Sequence, residues 1–97
     1  VSEVVWLPEA LDDVARLRGF LQEQSPIAAK RAAQTLLEGA DLLADHPELG
    51  RQMGDGTERR ELFRPFGTGG YVLRYLIANQ TVFIIRVWHT KEWRKDR

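Results

Sequence analysis

Eight residues in the second half of the chain could act on an anionic group: Arg60, Arg64, Arg74, Arg86, His89, Lys91, Trp93 and Arg94. A guanidinium presents a planar fork of donors that never titrates near neutrality, which suits phosphate and carboxylate alike. A histidine beside such groups could add general acid or base work. Together they could position a ribose 2′-hydroxyl for attack on its neighbouring phosphate and stabilise the charged phosphorane. The same set could instead recognise an acidic protein surface. The plainest reading is also open, in which the arginines form solvated ion pairs and His89 is a structural residue at a strand end.

Other chemistries find little support. His46 and His89 are 43 positions apart and neither belongs to an H-x-x-x-H or H-E-x-x-H pattern, so no metal site is expected. No glycine-flanked serine elbow is present, and Ser2 and Ser25 have structural readings. Gly67-Thr68-Gly69-Gly70 lacks the Lys-Ser/Thr that completes a phosphate loop, and it precedes a strand rather than a helix. It reads as a turn. The absence of cysteine removes disulfides, thiolate ligands and cysteine nucleophiles. No cofactor is expected.

Arg74 and Arg86 lie in two runs rich in β-branched and aromatic residues, 71–78 and 81–88, separated by Asn79-Gln80. Neither contains Pro or Gly, so they predict an antiparallel hairpin at the centre of a sheet. A two-residue loop would put Arg74 and Arg86 on opposite faces. A three-residue loop pairing Ile77 with Thr81 gathers Leu73, Tyr75, Ile77, Phe83, Ile85 and Val87 on one apolar face. Arg74, Arg86 and Trp88 then share a solvent-side face, and this register is the expected one.

Upstream elements must cover the apolar face. Val4, Val5 and Trp6 suggest a first strand ended by Leu7-Pro8. Pro8 suits a helix start, and Glu9, Asp12 and Asp13 complement the helix dipole there. Ala10, Val14, Leu17 and Leu21 form one stripe, predicting a helix over 8–23. Ser25-Pro26 starts a second helix, to about Asp45. Its stripe is Ala29, Ala33, Leu36, Ala40 and Leu43, widened by Ala32, Leu37 and Ala44. Residues 46–56 read as loop, and 58–66 as a strand whose Pro65 marks an edge or bend. The fold class is α+β, in the order β-α-α-β-β-β. A small antiparallel-rich sheet carries a helical hairpin on one face, in a single domain over 1–97.

Net charge is zero, but residues 1–50 hold nine acidic and four basic side chains, whereas residues 51–97 hold five and ten. A basic sheet half therefore sits beside an acidic helical half, and the basic side could meet an acidic protein or a nucleic-acid backbone. No apolar run approaches the ~20 residues of a membrane span. A cytoplasmic protein without membrane contact is expected.

Six phrases in order, W-L-P-E-A-L-D-D (6–13), S-P-I-A-A-K-R (25–31), H-P-E-L-G-R (46–51), R-E-L (60–62), Y-x-L-x-Y (71–75) and R-V-W-H (86–89), resemble the RelE/ParE toxin superfamily. The resemblance spans nearly the whole chain. It implies the toxin half of a bacterial type II toxin–antitoxin module, silenced by an adjacently encoded antitoxin, ParD-like or other. RelE-like members are ribosome-dependent messenger-RNA endonucleases and carry an arginine after the tyrosine opening the third strand, where this chain has Val72. They also place a basic residue or histidine past the last strand, where this chain has His89, and typically a C-terminal tyrosine nearby, but none follows Tyr75 here.

The P-E-A-x-x-D opening and the R-V-x-H strand end look like the ParE branch, whose members lack a nuclease site and poison DNA gyrase. The resemblance thus implies a gyrase inhibitor with no catalytic residues. Target or antitoxin contacts are expected at Arg74, Arg86, Trp88, His89, Lys91, Trp93 and Arg94. An antitoxin of this class folds on the toxin from an acidic, disordered segment, so its affinity is expected to fall when Arg74 and Arg86 are reversed to Glu. The alternative is an endoribonuclease using Arg60, Arg74, Arg86 and His89. Direct nucleic-acid binding is not expected outside a gyrase–DNA or ribosome complex.

Overall fold

A computed structural model of the chain describes residues 2–92. Its elements are β1 (Glu3–Trp6), α1 (Pro8–Gln24), α2 (Pro26–Asp45), β2 (Arg51–Gln52), β3 (Arg60–Phe66), β4 (Gly69–Ala78) and β5 (Thr81–His89). One mixed sheet has the order β1-β5-β4-β3-β2, with β1 parallel to β5 and the other pairs antiparallel. The α+β class and the helical hairpin are as the sequence predicts. The short β2 lies in the segment expected to be loop. Its two residues carry no apolar periodicity and are set by pairing with Arg60 and Glu61.

The helices begin and end where local chemistry dictates. Proline stands at the start of each, where a missing N–H costs nothing. Ser25 is the whole link between them: its N–H donates to Leu21 O (2.7 Å), closing α1, and its Oγ accepts from Ala28 N–H (3.2 Å), opening α2. So short a link forces the helices back along each other. Ala10 and Leu17 of α1 and Ala32, Leu36, Ala40 and Leu43 of α2 pack on the sheet. Leu37, expected to widen the second stripe, is exposed.

The central hairpin departs from the expected register. Ala78 pairs with Thr81 across a two-residue loop, and Asn79 and Gln80 both adopt left-handed backbone, with φ of 51° and 64°. That geometry matches the twist of the strands it joins. Glycine usually supplies it, which is why Asn-Gln does not announce it. The register then shifts between Arg74 and Tyr75, so that Tyr75 faces Ile84 while Arg74 faces Arg86, leaving Ile85 as a bulge. The core-facing set on β5 is therefore Val82, Ile84 and Val87, correcting Phe83 and Ile85. Turning Val82 and Ile84 outward would forfeit roughly 1.5–3 kcal/mol each. Arg74 and Arg86 still share a face, through the bulge rather than a longer loop.

A second constraint acts where β1 stops. β1 pairs with β5 only over Thr81–Ile84, and the chain enters α1 with Leu7 N–H donating to Ile84 O (3.0 Å). Beyond Ile84 a side chain of α1 takes over as partner. The Asp13 carboxylate accepts from Val87 N–H (2.9 Å), from Arg86 Nε and Nη2 (2.8 and 3.1 Å) and from Arg16 Nη1 (2.6 Å). Arg16 continues to Glu92 (3.0 Å), which also accepts from His89 N–H (3.1 Å). Burial opposes ionisation of Asp13, but the hydrogen bonds from Arg86, Val87 and Arg16 outweigh it and hold its pKa below the usual carboxylate range.

The loop between α2 and β2 is tied down by Tyr75, whose hydroxyl accepts from Gly50 N–H (2.8 Å) and donates to Pro47 O (2.7 Å). A Cβ on Gly50 would lie 2.6 Å from that hydroxyl and 2.9 Å from Glu61 O, so only glycine fits there. Gly50→Ala should therefore destabilise the protein by about 1–3 kcal/mol in urea titration, with an unchanged m-value. Asp13→Ala takes a carboxylate from Arg86 and Arg16 and leaves the Val87 N–H without its acceptor, and should cost about 3 kcal/mol. Because the folded-state pKa is depressed, that difference from wild type should be full above about pH 4 and narrow as pH falls through the folded-state value, as denaturation series across this range would register.

Candidate functional site

The six described members of the basic set do not converge. Arg60 donates from Nη1 to the carbonyls of Glu48 (3.1 Å) and Gly50 (2.8 Å), completing the loop anchor begun by Tyr75. Arg64 lies with its aliphatic stem near Gly39 of α2, and its Nε is buried without a hydrogen-bond partner among the described residues. Trp93 and Arg94 lie outside the described residues. Only Arg74, Arg86 and Trp88 cluster on the sheet face, while His89 and Lys91 lie together at the end of β5.

The expected solvent-side face is largely buried and internally neutral. Arg74 is 8% exposed and Trp88 4%. Arg74 donates from Nε and Nη2 to one Glu61 oxygen (3.1 and 2.8 Å), and its guanidinium lies 4.8 Å from the centre of the Trp88 ring. This stacked cation–π contact shields the ion pair from water. Arg86, facing Arg74 across the strands, is held by Asp13. Two like charges placed opposite each other would repel. Each instead has its own carboxylate from a different element.

His89 is fixed on both sides of its ring. Lys91 N–H donates to Nδ1 (3.1 Å), so that nitrogen is unprotonated, and Nε2–H donates to Phe66 O (2.9 Å). The ring meets Tyr71 edge-on at 5.1 Å and Phe66 at 6.3 Å. Burial, with Glu92 nearby, pushes the Tyr71 phenol up to about 12, and burial raises Tyr75 as well. Both phenols stay neutral at physiological pH.

These groups border a groove of about 640 Å³ between α1 and the end of the sheet. Leu17, Phe20 and Leu21 form its helical wall, Phe66, Tyr71 and His89 its sheet wall, and Arg16, Lys91 and Glu92 stand among its lining residues. Sequence reasoning missed Phe20 and the two carboxylates. Asp13 had a readable signal, since a charged residue three positions after Ala10 and four before Leu17 falls on the core-facing stripe and needs a buried partner. Glu61 had none, because its pairing with Arg74 depends on the β3–β4 register.

A model of the ParE toxin of the type II toxin–antitoxin system parDE matches residues 4–93. Toxin RelE3 of Caulobacter vibrioides is 40% identical over 87 residues, covering 90% of this chain and 92% of that protein. Toxin RelE2 of the same organism is 38% identical over 89 residues, covering 92% and 96%. Among solved structures, the chromosomal ParDE system from P. aeruginosa superposes with a TM-score of 0.75 at 15% identity, covering 93% of this chain and 97% of that one. The intact E. coli RelBE toxin–antitoxin complex gives 0.61 at 17%, covering 95% and 100%. The structural matches speak to the fold, while the family model and the Caulobacter relatives span nearly the whole sequence. The chain belongs to the ParE/RelE family of toxins of type II toxin–antitoxin systems.

Proposed function

We propose that this toxin acts without a nuclease site, by poisoning DNA gyrase and so blocking replication, and that a cognate antitoxin encoded beside it neutralises it. The observation that carries this reading is the engagement of the groups a ribonuclease would need. Arg74 and Arg86 are paired with Glu61 and Asp13, and both ring nitrogens of His89 are bonded to backbone groups. A phosphate-clamping arginine must be able to leave its carboxylate, and a general base must offer a free lone pair. Arg60, the fourth residue of the nuclease alternative, holds loop carbonyls instead. Val72 in place of an arginine points the same way. The match to the ParE model favours the gyrase branch, and the antitoxin partner is supported by neighbours solved as a ParDE system and a RelBE complex.

The ribosome-dependent endoribonuclease reading keeps one observation in its favour: Caulobacter relatives at 38–40% identity bear the RelE name. Reversing Arg74 and Arg86 to Glu no longer isolates an antitoxin interface. Inside the fold, each introduced carboxylate would face the one that now pairs with the arginine, Glu61 in the first case and Asp13 in the second.

The deciding experiment incubates purified toxin with gyrase and supercoiled plasmid, beside translating ribosomes carrying a messenger RNA. Cleaved plasmid should accumulate, disappear when the antitoxin is added, and leave the message intact. Codon-positioned cuts in the message that vanish in His89→Ala, with gyrase unaffected, would establish the nuclease reading instead.

A further inference from the structure

An arginine sits comfortably in a fold when its charge is either paired or left in water. Most of the described arginines meet one condition or the other. Arg16, Arg59, Arg74 and Arg86 each hold a carboxylate, and Arg60 holds two loop carbonyls. Arg18, Arg31 and Arg51 are exposed, where water serves them. Arg64 meets neither condition. It is half-buried, its Nε is enclosed without an acceptor, and its guanidinium forms no ion pair among the described residues.

The place it occupies does not call for a guanidinium. Arg64 faces Tyr71 across β3 and β4, and it shares the helix-covered side of the sheet with Leu62 and Phe66, two positions away along its own strand. Arg74 and its partner Glu61, one register position from the Leu62–Leu73 pair, point to the other side. On the α2 side of Arg64 stands Gly39, where a Cβ would lie 3.4 Å from Arg64 Cγ and 3.4 Å from Leu73 Cδ2. The stem therefore runs beneath α2 among apolar groups and a neutral phenol. A leucine or methionine would fill that space without leaving a donor unserved. Buried donors without a partner are uncommon enough in native proteins to need a cause beyond packing.

We propose that Arg64 is an anion-binding residue, held in place at the expense of stability, whose half-desolvated guanidinium receives one oxyanion, a phosphate or a carboxylate, at the margin of β3 and α2. Part of its hydration is already lost, so a counter-charge gains more there than beside a fully hydrated arginine. The planar donor fork suits either oxyanion. Because Nε is enclosed, the anion meets the terminal Nη1 and Nη2, which have no hydrogen-bond partner among the described residues. The site lies on the opposite side of the sheet from Arg74, and it stands or falls independently of the gyrase and ribonuclease readings.

The test uses the full chain and two probes, inorganic phosphate and acetate, each compared with chloride at equal ionic strength. The Arg64 Nε–H signal in ¹H–¹⁵N NMR, assigned by its loss in Arg64→Lys, should move and saturate with a dissociation constant of about 10 mM. A response to phosphate alone, to acetate alone or to both supports the proposal and names the class of oxyanion. Arg64→Met keeps the length of the stem and removes the donors, so in chloride it should raise the thermal midpoint by roughly 4 °C. A signal that neither probe moves would overturn the proposal, leaving an ordered water to serve the Nε–H. A midpoint lowered in Arg64→Met would overturn it as well, by making Arg64 a structural residue. Neither result bears on which target the toxin attacks.

Discussion

The Asp13 carboxylate does the work of a missing strand. β1 is four residues long and leaves the far half of β5 without a neighbour on that side, so Val87 N–H would face solvent or the underside of α1. Asp13 accepts that N–H and the Arg86 guanidinium together, which lets α1 lie directly against the strand edge. A carboxylate 2% exposed is stable there because Val87 N–H, Arg86 and Arg16 all donate to it. Helix α1, strand β5 and the turn that ends at Glu92 are thereby joined through one chain of ion pairs.

The bulge at Ile85 belongs to the same arrangement. It lets the hairpin tip obey a two-residue turn while the base of β5 is displaced by one position, so Val82, Ile84 and Val87 all reach the core. It also puts Arg86 opposite Arg74, a pairing tolerable only because Asp13 and Glu61 divide the two charges between them. The basic face suggested by composition is thus a pair of internal ion pairs capped by Trp88. The excess of arginine in the second half of the chain reflects architecture at these positions more than readiness to meet an anionic partner.

Much of this was legible from residue order. Pro8, Ser25-Pro26 and the stripes of alanine and leucine placed both helices nearly to the residue, and the β-branched runs placed the central hairpin. The six-phrase resemblance placed the family. What escaped was non-local. The left-handed Asn79-Gln80 turn lacks the glycine that signals it, and a bulge has no composition of its own. β2 exists only because β3 is beside it. The site suffered most, because whether an arginine is free or paired depends on registers: Arg74 meets Glu61 through β3–β4, and Arg86 meets Asp13 through the docking of α1. The R-V-W-H phrase located His89 correctly, but nothing in it foretold that Phe66 O and Lys91 N–H would occupy both nitrogens.

The central claim is that the polar residues at the end of β5 are committed to structure and are not available for proton transfer. The most direct measurement is ¹⁵N NMR of the imidazole nitrogens of His89 in the free toxin at neutral pH. The account predicts that the uncharged ring is held as one tautomer, with the proton on Nε2 and Nδ1 shifted as a hydrogen-bond acceptor. An Nδ1–H tautomer, or a rapid exchange between the two, would contradict it and return His89 to the list of groups able to act on a substrate.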